Sequence, residues 1–131
     1  ILGGPPTPGM GFGSGIERII LEMQRSGVVF ENEAAADVYI VHKAEGAAAM
    51  VFGLASRLRS AGVAAVLGES NKSFKAQMRG ANHSGAKFAI IIGDDELARG
   101  AGTVKDLTGE GEQESVELGR LPALLAAKLR A

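Results

Sequence analysis

The chain has 131 residues and a mass of 13.5 kDa, which allows one α/β domain and a short appendage but not two full domains. Hydrophobic residues make up 46% and charged residues 22%, which excludes the disordered and membrane classes, and the lack of cysteine excludes disulfides and thiolate chemistry. A net charge of −1 argues against binding nucleic acid by bulk charge alone. Composition therefore predicts a cytoplasmic globular protein, with no membrane insertion.

The first part of the chain predicts a loop, a short strand and one helix. Residues 1–9 hold three of the four prolines and predict the loop, and Met10 to Phe12 predict the strand. The helix ends at Ser26, because Gly27 suits the position just after a helix. Its apolar residues, at helical spacing, are Ile16, Ile19, Ile20 and Met23.

Residues 31–36 contain no β-branched or aromatic residue and predict a linker. The predicted organisation is therefore an appendage at residues 1–30, the linker at 31–36, and a domain at 37–131. Because residue 1 is Ile rather than Met, we expect the chain to be part of a longer protein.

From Asp37 onward, strands and helices alternate. The predicted elements are a strand at 38–41, a helix around 51–58, a strand at 63–67, a helix at 73–83, a strand at 88–92 and a short helix at 94–100. This order predicts parallel strands with right-handed crossovers. Asp94 is the predicted cap of the short helix and Gly100 its stop.

The end of the chain predicts an antiparallel hairpin and a helix. Residues 103–107 and 113–118 alternate apolar with polar residues on either side of a glycine turn, which is typical of a hairpin with one exposed face. The closing amphipathic helix contains Leu118, Leu121, Leu125 and Leu129.

The glycine-rich turn before the first helix is one candidate site. Ser14 and Glu17 match the capping-box spacing, which predicts that they satisfy free amides at the helix start. Arg18 is unfavourable at the positive end of the helix dipole unless it shares an anion, so it predicts a phosphate site. The alternative is a solvated arginine, and spacing alone does not decide between the two.

The segment from Glu69 to Arg79 is the second candidate site. Lys72, Lys75 and Arg79 are spaced by three and four residues, which predicts a basic stripe on one helix face, opposite Phe74 and Met78. No acidic residue occurs between Ser70 and Gly93. Phosphate contacts at this edge of the sheet are one interpretation, and an ordinary solvated helix face is the other.

Metal binding is not predicted. His42 and His83 have no ligand partners at metal spacing, and the cluster Asp94 to Glu96 does not match a calcium loop. We interpret the histidines as surface or packing residues and the carboxylates as helix caps.

Several segments resemble the histidine–tRNA ligase family of class II aminoacyl-tRNA synthetases. GGPPTPG at residues 3–9 and GFGSGIER at 11–18 resemble motif 3 of that class. The segments that resemble the family's anticodon-binding domain are SFKAQMR at 73–79, GAKFA at 85–89, GDDELARG at 93–100 and TVKDL at 103–107. Motif 3 is common to class II, whereas VKDL at 104–107 favours the histidine enzyme.

The resemblance implies a three-layer α/β/α domain with a five-stranded mixed sheet, order 2-1-3-4-5 and strand 4 antiparallel. A loop and one helix of the catalytic domain would precede it. By the same resemblance, Arg18 would contact ATP phosphate, with ATP and Mg²⁺ as cofactors of the intact enzyme. The implied partner is the anticodon stem-loop of histidine tRNA.

The resemblance places RNA contacts at two segments, 70–79 and 96–105. The residues implied to hold backbone phosphates are Lys72, Lys75 and Arg79, and Ser70, Asn71 and Ser73 are further candidates for RNA binding. The residues implied as candidates for base contacts are Gln77, Glu96, Arg99 and Lys105.

The same resemblance implies a cytoplasmic homodimer. Motifs 1 and 2 are absent, so we expect this chain alone to bind no cofactor, to charge no tRNA and to self-associate through the helix at 16–26. Two alternatives stay open: a regulatory paralogue that charges no tRNA, and a flavodoxin-like small-molecule or signalling domain. The predicted hairpin and the missing phosphate loop after the first strand fit the latter poorly.

Overall fold

A computed structural model describes residues 4–6, 8–28, 36–43, 46–109 and 113–130. The chain divides into two compact units, residues 1–33 and 34–131. Apart from Ala36, the predicted linker at 31–36 lies outside the described residues. Within the described ranges, no helix combines the length and the apolar character that crossing a membrane requires.

Among its described residues, the first unit contains one helix, α1 (Ile16–Arg25), and Gly27 follows it with φ +74°, as predicted. The predicted strand at Met10 to Phe12 is wrong: none of these residues lies in a strand, and Met10 and Phe12 are fully exposed. The predicted capping box is also wrong, because the N-cap is Gly15 and not Ser14. Glu17 and Arg18 are therefore the second and third residues of the helix.

The second unit carries a five-stranded sheet and four helices among its described residues. In chain order these are β1 (Val38–His42), α2 (Ala48–Ser60), β2 (Ala65–Leu67), α3 (Phe74–His83), β3 (Phe88–Ile92), α4 (Asp94–Arg99), β4 (Ala101–Asp106), β5 (Gln113–Glu117) and α5 (Leu121–Arg130). The sheet order is β2-β1-β3-β4-β5. Strand β1 is parallel to β2 and β3, and β4 is antiparallel to β3 and β5, so the predicted fold is confirmed.

One face of the sheet carries the main hydrophobic core. Ile40, Ile90 and Val104 lie in register across β1, β3 and β4, and α2 and α5 cover them. Leu54 and Leu121 from those helices are fully buried. Because side chains alternate along a strand, every second residue of these strands points into this core.

The opposite face is covered over only half of its width. Helix α3 packs on β1 and buries Val41, Ala81 and Ala89. The same face continues onto β4 and β5, where the side chains are polar. By the strand register, those polar residues are Thr103, Lys105, Gln113 and Ser115. Within the second unit, α3 makes its main contacts with β1, and α4 makes its main contacts with β3 and β4. The polar side chains of β4 and β5 are half-buried or exposed, and this part is called the open half of the sheet.

The short helix α4 lies where β3 leads into β4, and its predicted extent is confirmed within one residue. Its N-cap is Gly93, one residue before the predicted cap Asp94. Gly100 ends the helix in the left-handed conformation with φ +64°, as predicted. This tight turn brings α4 against the start of β4.

Candidate nucleic-acid interface

A hollow of about 350 Å³ lies between α3 and the open half of the sheet. Its apolar walls come from α3 and β3, its polar floor from β4 and β5, and α4 closes one end. The lining residues are Phe74, Met78, Ile91, Glu96, Thr103, Lys105 and Gln113. The hollow therefore offers apolar contact and hydrogen-bonding groups side by side, as a flat heteroaromatic base requires.

Phe74 forms the exposed aromatic wall of the hollow. It is the first residue of α3, which Ser73 caps by accepting a hydrogen bond from the amide of Ala76 at 3.3 Å. Phe74 and Met78 are four residues apart and share one side of the helix. Phe74 is 42% exposed although it is a large apolar residue. The sequence does not mark Phe74 as a site residue, because an apolar side chain at helical spacing ordinarily indicates core.

Lys75 and Arg79 form a pair of exposed cations on α3, here called the rim cations. At about 100° per residue they follow Phe74 and Met78 around the helix, so they lie next to the apolar wall of the hollow. The prediction that they lie opposite Phe74 and Met78 is therefore wrong. Within the described part of the chain, no carboxylate forms an ion pair with either cation.

Lys72 does not belong to the helical stripe, contrary to the prediction. It precedes the N-cap Ser73, in the loop between β2 and α3, and its ammonium is 4.0 Å from the carboxylate of Glu69. Both side chains are more than half exposed, so this ion pair is weak. Ser70 and Asn71 are exposed in the same loop.

Glu96 is held in place at the end of the hollow. Its Oε2 accepts the backbone N–H of Gly93 at 3.0 Å, and its Oε1 accepts the hydroxyl of Thr103 at 3.0 Å. Partial burial alone would raise the pKa of this carboxyl, but the hydrogen bonds from Gly93 and Thr103 and the nearby Arg99 outweigh it and lower the pKa below its ordinary value. Glu96 is therefore an ionised, oriented acceptor.

The lowered pKa of Glu96 predicts a contribution to stability at low pH. A carboxyl whose folded-state pKa is depressed stabilises the fold above its unfolded-state pKa, and that contribution is lost as pH falls through the folded-state value. We expect the unfolding midpoint of the unaltered chain to fall more steeply below pH 4.5 than that of Glu96→Gln. Thermal unfolding between pH 3 and pH 7 measures this, and parallel curves for the two proteins would contradict it.

The remaining predicted base contacts occupy different environments. Lys105 lines the hollow and is half-buried on β4. Arg99 lies at the end of α4 with its side chain 61% exposed, and its guanidinium is 3.8 Å from Glu96. Both can reach a ligand in or beside the hollow.

Gln77 was predicted to contact a base, and the structure contradicts this role. It is 2% exposed, and its carboxamide is occupied. Its Oε1 accepts the backbone N–H of His42 at 3.0 Å, and its Nε2 donates to the backbone carbonyl of His42 at 2.8 Å. The side chain points into the protein because β2 ends at Leu67, which leaves the N–H and carbonyl of His42 without a partner on the β2 side, while His42 stays paired with Ile92 of β3 on the other side.

Arg18 lies in the first unit, exposed in the first turn of α1, with its aliphatic carbons against Gly15. Among the described residues, no group of three or more carboxylates, histidines or cysteines is placed to hold a metal ion. One exposed arginine beside glycines does not by itself fit ATP with Mg²⁺. We therefore derive no chemical step through a nucleotide from these residues.

The comparisons with known proteins agree with this geometry. Residues 37–128 match the family described as Anticodon binding domain. The chain is 40% identical over 129 residues to the histidine–tRNA ligase of Pelotomaculum thermopropionicum, and this match covers 98% of the chain and 30% of that relative. It is 43% identical over 124 residues to the histidine–tRNA ligase of Nitrosomonas eutropha, with coverage of 95% and 30%.

A solved structure shows the same relationship. The apo histidyl-tRNA synthetase of S. aureus matches with a TM-score of 0.65 and 34% identity over 84% of this chain and 32% of that one. The chain thus spans about 30% of the length of the curated relatives it matches. Both the sequence match and the fold point to the same family, and the chain belongs to the anticodon-binding domain family.

Proposed function

We propose that residues 37–128 bind the anticodon stem-loop of histidine tRNA as part of a histidine–tRNA ligase. The family match and the similarity to histidine–tRNA ligases support the class of partner. The half-covered sheet face supports the location of the contact, because its hollow combines an aromatic wall, a fixed carboxylate and flanking cations.

Single-stranded RNA loops are bound by stacking their bases on aromatic side chains and by holding their phosphates with cations. In the proposal, one anticodon base stacks on Phe74 and Met78 within the hollow. The rim cations Lys75 and Arg79 contact the phosphates that flank this base, and they need not first break an ion pair with a described carboxylate.

The base edge would then meet the polar end of the hollow. The ionised carboxylate of Glu96 accepts N–H groups, whereas Lys105 and Arg99 donate to base carbonyl or ring-nitrogen acceptors. Because Gly93 and Thr103 fix the Glu96 carboxylate, its acceptor direction is set before RNA binds. Discrimination between bases is therefore assigned to Glu96, Lys105 and Arg99.

The activity of the whole ligase is part of the same proposal. It includes ATP-dependent aminoacylation with Mg²⁺, a cytoplasmic location and a homodimeric parent, with Arg18 contacting ATP phosphate in the complete catalytic domain. The residues of this chain alone are proposed to be inactive, because the remaining catalytic motifs are not among them. Histidine-dependent ATP–pyrophosphate exchange by the purified chain would contradict this.

Helix α1 presents an exposed apolar face, which supports self-association of the isolated chain through residues 16–26. Ile16, Ile19 and Ile20 share this face and are 69%, 49% and 42% exposed. We expect sedimentation velocity to detect an oligomer whose fraction rises with concentration. Ile16→Lys with Ile20→Lys should return the chain to a monomer, and a monomeric unaltered chain would contradict this part of the proposal.

Phe74 and Phe52 provide a matched test of where RNA binds. Both are exposed phenylalanines, but Phe74 lines the hollow and Phe52 lies on α2 with 64% exposure. Loss of one stacked base costs about 1–3 kcal/mol, so Phe74→Ala should weaken hairpin binding by roughly 5- to 150-fold. Phe52→Ala should leave the affinity unchanged. Equal affinity for the two variants would place the RNA elsewhere.

A further inference from the structure

We infer that Gln77 is a positioning residue for the RNA-binding edge, which it serves by locking the loop at 68–72 onto the end of β1. The inference rests on the proposed function, because it assigns Lys72 in that loop a phosphate contact. Gln77 itself is buried, so the proposal gives it no direct contact with RNA. Its effect passes through the backbone of the loop.

The hydrogen bonds that hold the 68–72 loop begin where β2 ends. The last β1–β2 pair is Ile40 with Leu67, and the backbone N–H of Gly68 donates to the carbonyl of Ile40 at 2.8 Å. Backbone groups two residues apart in a strand point the same way, so the N–H and carbonyl of His42 face the side that β2 no longer occupies. The carboxamide of Gln77 fills this place, with one bond to each group.

The same carboxamide reaches the loop. Its Nε2 also donates to the backbone carbonyl of Lys72 at 3.2 Å. The ring of His42 adds a second connection, with Nε2 3.1 Å from the carbonyl of Gly68. Both ends of the 68–72 loop are thus tied to the end of β1, one through Gln77 and one through His42.

Gly68 packs closely against the carboxamide of Gln77. A Cβ at this position would overlap Oε1 of Gln77 and lie 3.0 Å from the carbonyl oxygen of Ile40. Only a residue without a side chain lets the loop approach the carboxamide so closely. Within the loop, the amide of Lys72 donates to the carbonyl of Glu69 at 3.0 Å, so the turn that carries the Lys72 ammonium is itself hydrogen-bonded.

A double-mutant cycle in RNA binding separates positioning from mere stability. In the unaltered chain, Lys72→Ala should weaken binding of an anticodon hairpin about threefold and lower the salt slope by about 0.7, as expected for one lost phosphate contact. In a Gln77→Met background, Lys72→Ala should cost almost nothing, because the ammonium is no longer held. Lys75→Ala is the control and should cost the same in both backgrounds.

Amide hydrogen exchange of the 131-residue chain supplies the second readout and needs no RNA. Gln77→Met should accelerate exchange at Gly68 and Lys72, while Ile90 and Val104 in the core stay protected. If Gln77→Met does not fold, Gln77→Glu takes its place, since it keeps an acceptor for His42 but sets a carboxylate against two carbonyls.

The outcomes are distinct. Faster exchange in the loop together with coupled losses at Lys72 supports the inference. Unchanged amide exchange in a folded variant overturns the inference alone. The inference alone is also overturned if the unaltered chain binds RNA and Lys72→Ala costs the same affinity in both backgrounds. Failure of the unaltered chain to bind the hairpin overturns the proposed function, and the role of Gln77 in RNA binding with it.

Discussion

Reversal of both rim cations, Lys75→Glu with Arg79→Glu, should lower the affinity for an anticodon hairpin by at least about 100-fold at roughly 0.1 M salt. The change removes two phosphate contacts and puts two anions on the rim of the hollow. The dependence of log affinity on log salt should flatten by about 1.4, or about 0.7 for each lost contact with single-stranded RNA. Fluorescence anisotropy over a salt series measures both quantities.

The matched control carries the same change in net charge on other helices. Arg57→Glu with Arg130→Glu reverses two exposed cations in the last turns of α2 and α5. We expect at most a few-fold loss, because these positions act only through the long-range field, which salt screens within about 10 Å. Equal losses for the two double variants would mean that α3 has no special part in binding RNA.

The replacement Leu54→Ala should destabilise the second unit by about 2–5 kcal/mol. Leu54 is fully buried between α2 and the sheet, and truncation removes its apolar contacts and leaves a cavity in the main core. Urea unfolding followed by circular dichroism measures the change in free energy of unfolding. The loss is a large share of the total stability that a domain of this size usually has.

Phe52→Ala on the same helix is the control for this stability measurement. Phe52 is 64% exposed, so its removal should change the free energy of unfolding by no more than about 0.5 kcal/mol. A cost for Leu54→Ala below about 1 kcal/mol would contradict the packing of α2 on the sheet.

Strongly periodic segments could be predicted from the sequence. The apolar run at 88–92 gives β3 with the predicted bounds, and the helix predicted at 73–83 differs from α3 by one residue at its start. Helix stops at Gly27 and Gly100 were also predictable, because both positions require a positive φ that glycine adopts readily. Together with the resemblance, these features were enough to predict the strand order.

The errors arose where a local pattern depends on a distant partner. Met10 to Phe12 have strand composition but form no strand, because a strand also needs a second strand to pair with, and local composition does not reveal one. The sequence alone suggests that Gln77 is a polar surface residue. In the structure, β2 ends at Leu67, and the backbone of His42 therefore bonds to the carboxamide of Gln77 instead of to β2. Lys72 fits the helical spacing, yet the Ser73 cap starts the helix after it.

Among the candidate site residues, too, local patterns predicted some and not others. Lys75 and Arg79 were predicted from their spacing and the lack of nearby acids. Phe74 was missed because its exposure depends on which half of the sheet α3 leaves open, and this is a property of the whole fold. The sequence shows only that Phe74 is an apolar residue just after a helix cap and next to a lysine.

The central claim is that this domain reads an anticodon through the hollow beside α3. Anisotropy with a labelled hairpin that carries a GUG loop, compared with one whose loop is scrambled, tests this most directly. We expect the GUG hairpin to bind at least about tenfold more tightly, since one lost base contact costs roughly 1–3 kcal/mol. Equal and weak binding of the two hairpins would contradict the claim and leave only nonspecific attraction to phosphate.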